Sequence, residues 1–224
     1  MISELLSDQY AYRPAGSTTA ALVAILNDLT CLLENNRYVH IIALDFSKAF
    51  DTVRHSTLMD KIAKFPLPDR VYNWLEDYLH QRVHCTKTKS GTSPALGINS
   101  SVVQGSAVGP IAFILNATDL KASAQGNVLR KYADDTYLIC PATNSHTIAA
   151  EMTHIAQWAD NNNLKLNPTK STEMIVHNKR YAVSDAPPPL AGIQRVQSLN
   201  ILGVTIQETL SMTEHVDSLV TAAS

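Results

Sequence analysis

The chain has 224 residues, 45% of them hydrophobic, a formal net charge of −2 and an isoelectric point near 6.4. That is enough for one well-buried domain or a core with an appendage, and the charge alone favours an ordinary soluble enzyme over a nucleic-acid-binding protein. No apolar run is long enough to span a membrane, no signal peptide is read at the N-terminus, and the scattered Cys31, Cys85 and Cys140 suit neither a disulfide framework nor a zinc site, so an intracellular, reducing compartment (nucleus or cytoplasm) is expected.

In chain order, residues 9–18 read as a loop broken by Pro14 and Gly16, with Ser17 or Thr18 placed to cap a helix. Leu22, Ile25, Leu26, Leu29 and Leu33 then recur at helical spacing. Residues 39–44 form an almost wholly apolar run, suited to a central strand covered on both faces and ending at Asp45. A helix is expected over residues 57–64, broken by Pro66 and Pro68. Asp69 then caps a helix whose apolar face holds Val71, Trp74, Leu75, Tyr78 and Leu79, with Trp74 expected in the core. Residues 83–90 and 92–103 suggest two strands around Ser90-Gly91. Arg82, Lys87 and Lys89 lie there, suited either to phosphate or to a solvated face.

Gln104-Gly105-Ser106 opens a further helix through Ile111, Phe113, Ile114 and Leu115. Residues 129–133 and 136–140 read as a β hairpin carrying Asp134 and Asp135 at its turn. A helix over 147–162 follows, then strands over 164–166 and 172–176 around a Lys170 loop. Residues 185–189 form an exposed, Pro-rich linker. Residues 198–206 suggest a second hairpin, and a last helix begins at Thr213.

Asp is a common turn residue, and an Asp-Asp pair is ordinarily solvated. Asp45 changes that reading. An ionised carboxylate beside a core strand is costly unless it is paired or bound to metal. Each pair of carboxylates at about 4 Å repels by about 4 kcal/mol at an effective dielectric near 20. Hard oxygen donors and few protein ligands point to Mg²⁺, with Mn²⁺ as a substitute.

Five stretches carry a resemblance. Residues 43–51 (Ala-Leu-Asp-Phe-Ser-Lys-Ala-Phe-Asp), 104–110 (Gln-Gly-Ser-Ala-Val-Gly-Pro), 132–135 (Tyr-Ala-Asp-Asp), 166–170 (Leu-Asn-Pro-Thr-Lys) and 202–204 (Leu-Gly-Val) resemble, in order, motifs A to E of non-LTR retrotransposon reverse transcriptases of the jockey-like kind. The resemblance implies an α+β right-hand polymerase palm, a split βαβ arrangement with an antiparallel sheet and helices on one face. It implies partial fingers over 1–36, the palm over 37–180, a linker over 181–192, the motif E hairpin over 193–210 and the start of a thumb over 211–224. It implies an RNA-directed DNA polymerase acting on an RNA template, a DNA primer and deoxynucleoside triphosphates.

In that family Asp45, Asp134 and Asp135 are the catalytic metal ligands for two Mg²⁺ ions, with Phe46 lending a carbonyl. Phe50 matches the steric gate against a ribose 2′-hydroxyl; simple packing is the plain alternative. Gln104, Gly105 and Lys170 match nucleotide-binding positions, and Tyr132, Leu202, Gly203 and Arg13 match primer or template contacts. Asp51 reads as a structural partner.

A viral RNA-dependent RNA polymerase shares the acids but usually has Gly before Asp-Asp and a polar residue at the gate. Ala133 and Phe50 argue against it. A group II intron-type maturase shares the palm, but nothing in the sequence reports a splicing role. The third alternative is an inactive or domesticated fragment that binds nucleic acid or partners without chemistry. The acidic balance is expected of a palm stripped of basic fingers and thumb, which would make the isolated chain a poor polymerase.

Overall fold

The computed structural model describes residues 5–103, 105–178 and 187–224. Helix α1 (Thr18–Asn35) begins where Ser17 turns extended and its Oγ accepts the Ala20 N–H at 3.0 Å. Such a cap is worth about 1 kcal/mol. Strands β1 (Tyr38–Leu44) and β2 (Phe46–Ser47) come next, then the short α2 (Ala49–Thr52), α3 (His55–Ile62) and α4 (Asp69–Leu79). Four two-residue strands follow: β3 (Val83–His84), β4 (Lys87–Thr88), β5 (Gly91–Thr92) and β6 (Leu96–Gly97). Helix α5 (Val108–Asn116) leads to the hairpin β7 (Val128–Tyr132) and β8 (Asp135–Pro141). Helix α6 (Ile148–Asn161) precedes β9 (Lys165–Leu166) and β10 (Thr172–His177). The chain closes with β11 (Gln194–Arg195), the hairpin β12 (Ser198–Ile201) and β13 (Val204–Gln207), and α7 (Thr213–Ala223).

The central sheet has the order β11-β10-β1-β8-β7. β1 pairs antiparallel with both β8 and β10, as its apolar sequence requires of a strand buried on two sides. Alternation along β1 feeds two cores. Ile42 and Leu44 face a layer built from Leu58, Phe113, Ile155 and Trp158 of α3, α5 and α6. Val39 and Ile41 face Ile25 and Leu29 of α1 together with Leu199, Ile201 and Ile206 of the last hairpin. The layer of α3, α5 and α6 is the helical face expected of a palm. The opposite face is covered too, by α1 and the β12–β13 hairpin.

Three local expectations are corrected. Residues 83–103 do not form two long strands: only the two-residue pairs β3–β6 and β4–β5 appear, and residues 83–97 are all exposed. With no core face to reward alternation, and with Pro94 lacking an N–H, nothing extends the ladder. Trp74 is not core but 52% exposed, stacked on Tyr78 at 5.4 Å between ring centroids. α4 turns Leu75, Tyr78 and Leu79 inward instead. Pro68, not Asp69, occupies the cap position of α4; Asp69 lies in the first turn, where its charge suits the helix dipole. In the linker, Pro187 and Pro188 offer carbonyls to the Arg195 guanidinium, which also donates to the buried Glu173 at 3.0 Å. Residues 181–186 of the expected linker lie outside the described residues.

Candidate active site

The site starts from register. Leu44 pairs with Thr136 at the end of β1, so the next residues outward, Asp45 and Asp135, leave the sheet on neighbouring strands. Tyr132 pairs with Asp135, which makes Ala133 and Asp134 the two turn residues of the β7–β8 hairpin. Asp135 is therefore the first residue of a strand rather than part of the turn. Ala133 has φ +55°, a left-handed conformation that a two-residue hairpin usually assigns to glycine. For an L residue it costs about 1–2 kcal/mol.

Asp45 is held by its backbone. Its N–H donates to Ser171 Oγ at 3.1 Å, and its carbonyl accepts the Asn167 N–H at 2.8 Å. Ser171 is fully buried and its hydroxyl donates to the Asn167 carbonyl at 2.8 Å. The loop between β9 and β10 thus locks onto the end of β1. That loop also delivers Lys170. Asp45, Asp135, Lys170, Thr172, Ser198 and Asn200 line one open cleft of about 360 Å³. Asp45 and Asp134 are half-buried and Asp135 is exposed.

The acids press on one another. Desolvation, then the charge of Asp45, holds the Asp134 carboxyl above its ordinary value against a hydrogen bond from its own backbone. Desolvation, then the charges of Asp134 and Asp45, raises Asp135. Yet among the described residues no three His, Cys, Asp or Glu side chains are already grouped as a metal shell. The register brings Asp45 and Asp135 to the same sheet edge, beside Asp134 at the hairpin turn. The donors suit a hard divalent cation in kind: carboxylate oxygens at a partly open strand end, in a charge field that a cation would relieve.

The remaining expected residues fall around this edge. Phe46 is buried, its ring edge-on to Trp158 at 6.1 Å, and it pairs with Leu166 across β2–β9. Phe50 is half-buried and stacks on Phe113 at 4.6 Å, so the packing alternative is realised at least in part. Asp51 lies in α2, its N–H donating to the Lys48 carbonyl at 2.9 Å. Gln104 lies outside the described residues. Gly105 has φ +79° and open space where a Cβ would stand. Ser106 Oγ accepts the Gly109 N–H at 2.9 Å just before α5, whose cap position is Ala107. Gly109 itself must be glycine, because a Cβ would sit 2.5 Å from the Val103 carbonyl.

Tyr132 is half-buried beside the turn. Leu202 and Gly203, at φ +51° and +90°, form the two-residue turn between β12 and β13, with Asn200 Oδ1 accepting the Gly203 N–H at 3.0 Å. Burial, then the charge of Asp135, pushes the buried Tyr137 hydroxyl far up, opposed by a backbone contact from Leu202. Tyr137 thus links the last hairpin to the acid-bearing strand. Arg13 donates to the Leu6 carbonyl at 2.8 Å and lies 4.8 Å over the Tyr10 ring, so this end of its side chain is used inside the chain.

Two supporting residues were not singled out from sequence. Ser171 follows Lys170 with nothing to mark it as a buried partner of Asp45. Gln9 was read only as part of a loop, yet it is 1% exposed and bonds to Ala133, 124 positions away. The non-glycine residue before Asp-Asp was the available signal: a strained turn residue needs a partner.

Known proteins resemble this chain in sequence and in fold. A profile of the family described as reverse transcriptase (RNA-dependent DNA polymerase) matches residues 1–206. The chain is 26% identical over 221 residues to the probable RNA-directed DNA polymerase from transposon BS of Drosophila melanogaster, covering 92% of this chain and 24% of that protein. It is 25% identical over 225 residues to the RNA-directed DNA polymerase from mobile element jockey of the same species, covering 94% and 24%. The chain therefore spans about a quarter of the length of these relatives. Among solved structures, telomerase from Candida tropicalis in complex with a fragment of telomeric RNA superposes with a TM-score of 0.68 at 14% identity, over 93% of this chain and 34% of that one. That likeness shows a shared right-hand polymerase fold. With its motifs in family order and the acids converging at one sheet edge, the chain belongs to the reverse transcriptase family and is similar within it to the polymerases of non-LTR retrotransposons.

Proposed function

We propose that this chain carries out RNA-directed DNA synthesis by nucleotidyl transfer at the edge where β1 meets the β7–β8 hairpin. The observation that carries the reading is the Leu44–Thr136 register, which places Asp45 next to the hairpin bearing Asp134 and Asp135. The primer 3′-oxygen forms a bond to the α-phosphorus of a deoxynucleoside triphosphate. The bond to pyrophosphate breaks, and the hydroxyl proton passes to solvent.

Asp45, Asp134 and Asp135, with the Phe46 carbonyl, would hold two Mg²⁺ ions. When bound, these ions supply charge stabilisation for the attacking and leaving oxygens. Lys170 reaches the same cleft as Asp45 and Asp135, where its ammonium offsets charge on departing pyrophosphate. Gly105 leaves the backbone before α5 open to close approach by a ligand. By the family's motif, Gln104 also contributes to nucleotide binding. Phe50 gates the sugar, while Tyr132 and the Leu202-Gly203 turn face the primer and Arg13 the template side. The assigned domains follow: palm over 37–180, flanked by fingers over 1–36, a linker over 181–192, the primer-holding hairpin over 193–210 and the thumb start over 211–224. The chain acts inside the cell, and among the described residues no helix is long and apolar enough to cross a membrane.

The competing reading is nucleic-acid binding without chemistry. Primer extension on an RNA template with Mg²⁺ separates the two. Synthesis that Asp134→Asn abolishes supports the polymerase; binding of primer–template with no extension supports the second reading.

A further inference from the structure

The hairpin that presents Asp134 and Asp135 is not held by its own strands alone. Residues Asp8 to Tyr10 run beside β7: the Tyr10 N–H donates to the Lys131 carbonyl at 2.8 Å, and the Lys131 N–H donates to the Asp8 carbonyl at 2.7 Å. Between them Gln9 turns its side chain to the hairpin turn. Its Oε1 accepts the Ala133 N–H at 3.0 Å, and its Nε2 donates to the Ala133 carbonyl at 3.4 Å. The same Oε1 accepts the Ala11 N–H at 2.9 Å, which fixes the amide plane. Gln9 and Ala133 are both buried.

This amide does for the turn what a neighbouring strand does for a ladder. It satisfies both polar groups of the one turn residue whose φ of +55° an alanine adopts reluctantly. The Ala133 carbonyl belongs to the peptide that joins Ala133 to Asp134. Holding that peptide plane sets the direction in which the Asp134 side chain leaves the turn. The Asp134 carboxylate also takes a hydrogen bond from its own backbone, so its direction follows how that turn is held.

We infer that Gln9 is a positioning residue for the acid-bearing hairpin: its buried side-chain amide clamps the Ala133 peptide and thereby aims Asp134. This rests on the reading of the acids as the nucleotidyl-transfer site. Gln9 touches neither substrate nor metal; it acts through Ala133.

The test compares wild type with Gln9→Met, of similar size without the amide, and Gln9→Asn, too short to span both Ala133 groups. Three quantities are measured on the whole chain: amide hydrogen exchange, Mn²⁺ binding by electron paramagnetic resonance, and kcat and KM for deoxynucleotide in primer extension. Exchange at Ala133 and Asp134 is expected to quicken in both variants while Leu138 and Ile139 stay protected. Mn²⁺ affinity and kcat are each expected to fall by about 10–100-fold, the usual effect of losing an orienting partner, with KM within about twofold. Wild-type Mn²⁺ affinity in a variant whose Ala133 amide is released overturns the clamp. Uniformly faster exchange across β8 in both variants also overturns it, since that marks a merely structural role. Where Gln9→Met does not fold, Gln9→Asn decides by the same criteria. A wild-type chain without Asp134-dependent synthesis defeats the proposed function instead, and exchange with Mn²⁺ binding still decides the clamp.

Discussion

Ser171 Oγ accepts the backbone N–H of Asp45 at 3.1 Å, and through this bond the β9–β10 loop sets where β1 ends. Ser171 is fully buried, so water cannot replace the hydroxyl. Ser171→Ala leaves the Asp45 N–H short of a partner, a loss of about 1–3 kcal/mol. Urea denaturation is expected to show that destabilisation with an unchanged m-value. Mn²⁺ affinity is expected to fall as well, because the released backbone carries Asp45. A variant as stable as wild type would show that the bond is not needed.

Asp134→Asn is expected to act in opposite directions with and without metal. In the folded chain the Asp134 carboxyl titrates above its unfolded value, through desolvation first and then the Asp45 charge. The folded state therefore holds this proton to higher pH, and ionisation costs stability. That cost is fully present above the raised value and fades as pH falls through it toward about 3.9. In chelator at pH 7 the Asn variant should melt at or above the wild-type temperature, and the difference should close on acidification. With millimolar Mg²⁺ or Mn²⁺ the wild type should gain stability and the variant little, since a ligand bound only by the folded state stabilises it. Equal shifts in the two proteins would count against a shared site.

Much of this was legible because it rests on periodicity and on costly residues. The apolar run 39–44 suits a central strand, and an acid at its end calls for compensation. The 198–206 hairpin was legible through its resemblance to motif E, and of the two cap candidates, Ser17 and Thr18, it is Ser17 that caps. What stayed hidden depends on long-range pairing. Gln9 meets Ala133 across 124 positions, and Ser171 meets Asp45 across 126. Trp74 misled because helical spacing gives a face but not what covers it. Residues 83–97 misled because β propensity was read without a core to reward it.

Lys131 shows the same limit, since alternation alone would let its charge face solvent. Instead it is 1% exposed, its ammonium donating to the Ala117 and Leu120 carbonyls at 2.7 and 2.8 Å and lying 3.2 Å from Asp8. Burial lowers its pKa to about 8, opposed chiefly by the charge of Asp8, with Lys121 lowering it further and Asp119 raising it. The folded value lies below the unfolded one of about 10.4, so the unfolded chain binds more protons between the two. Stability contributed at this site therefore rises with pH across roughly pH 8 to 10.4, by up to about 1.4 kcal/mol per unit. Denaturation of wild type and Lys131→Met at several pH values should show the wild type gaining on the variant in that window. A difference independent of pH would mean that the ammonium is solvated.

Phe50 supports a prediction in which packing and selectivity are separable. Its ring stacks on Phe113 at 4.6 Å with an interplanar angle of 29°, and Phe113 is buried in α5. The Phe50 carbonyl also accepts the Val102 N–H at 2.9 Å, an anchor that any side chain leaves intact. Phe50→Val removes the ring and keeps the backbone. Loss of the stack costs about 0.5–1.5 kcal/mol beyond the buried area, so thermal stability should fall modestly. If Phe50 also bars the ribose 2′-hydroxyl, the variant should incorporate ribonucleotides far better relative to deoxynucleotides, while kcat on deoxynucleotides changes little. Phe113→Leu disturbs the same stack from the other side without opening the proposed sugar pocket. It should lower stability to a similar degree and leave sugar choice alone. Competitive incorporation of the two sugars by both variants decides between the roles: unchanged discrimination in Phe50→Val assigns the ring to packing only.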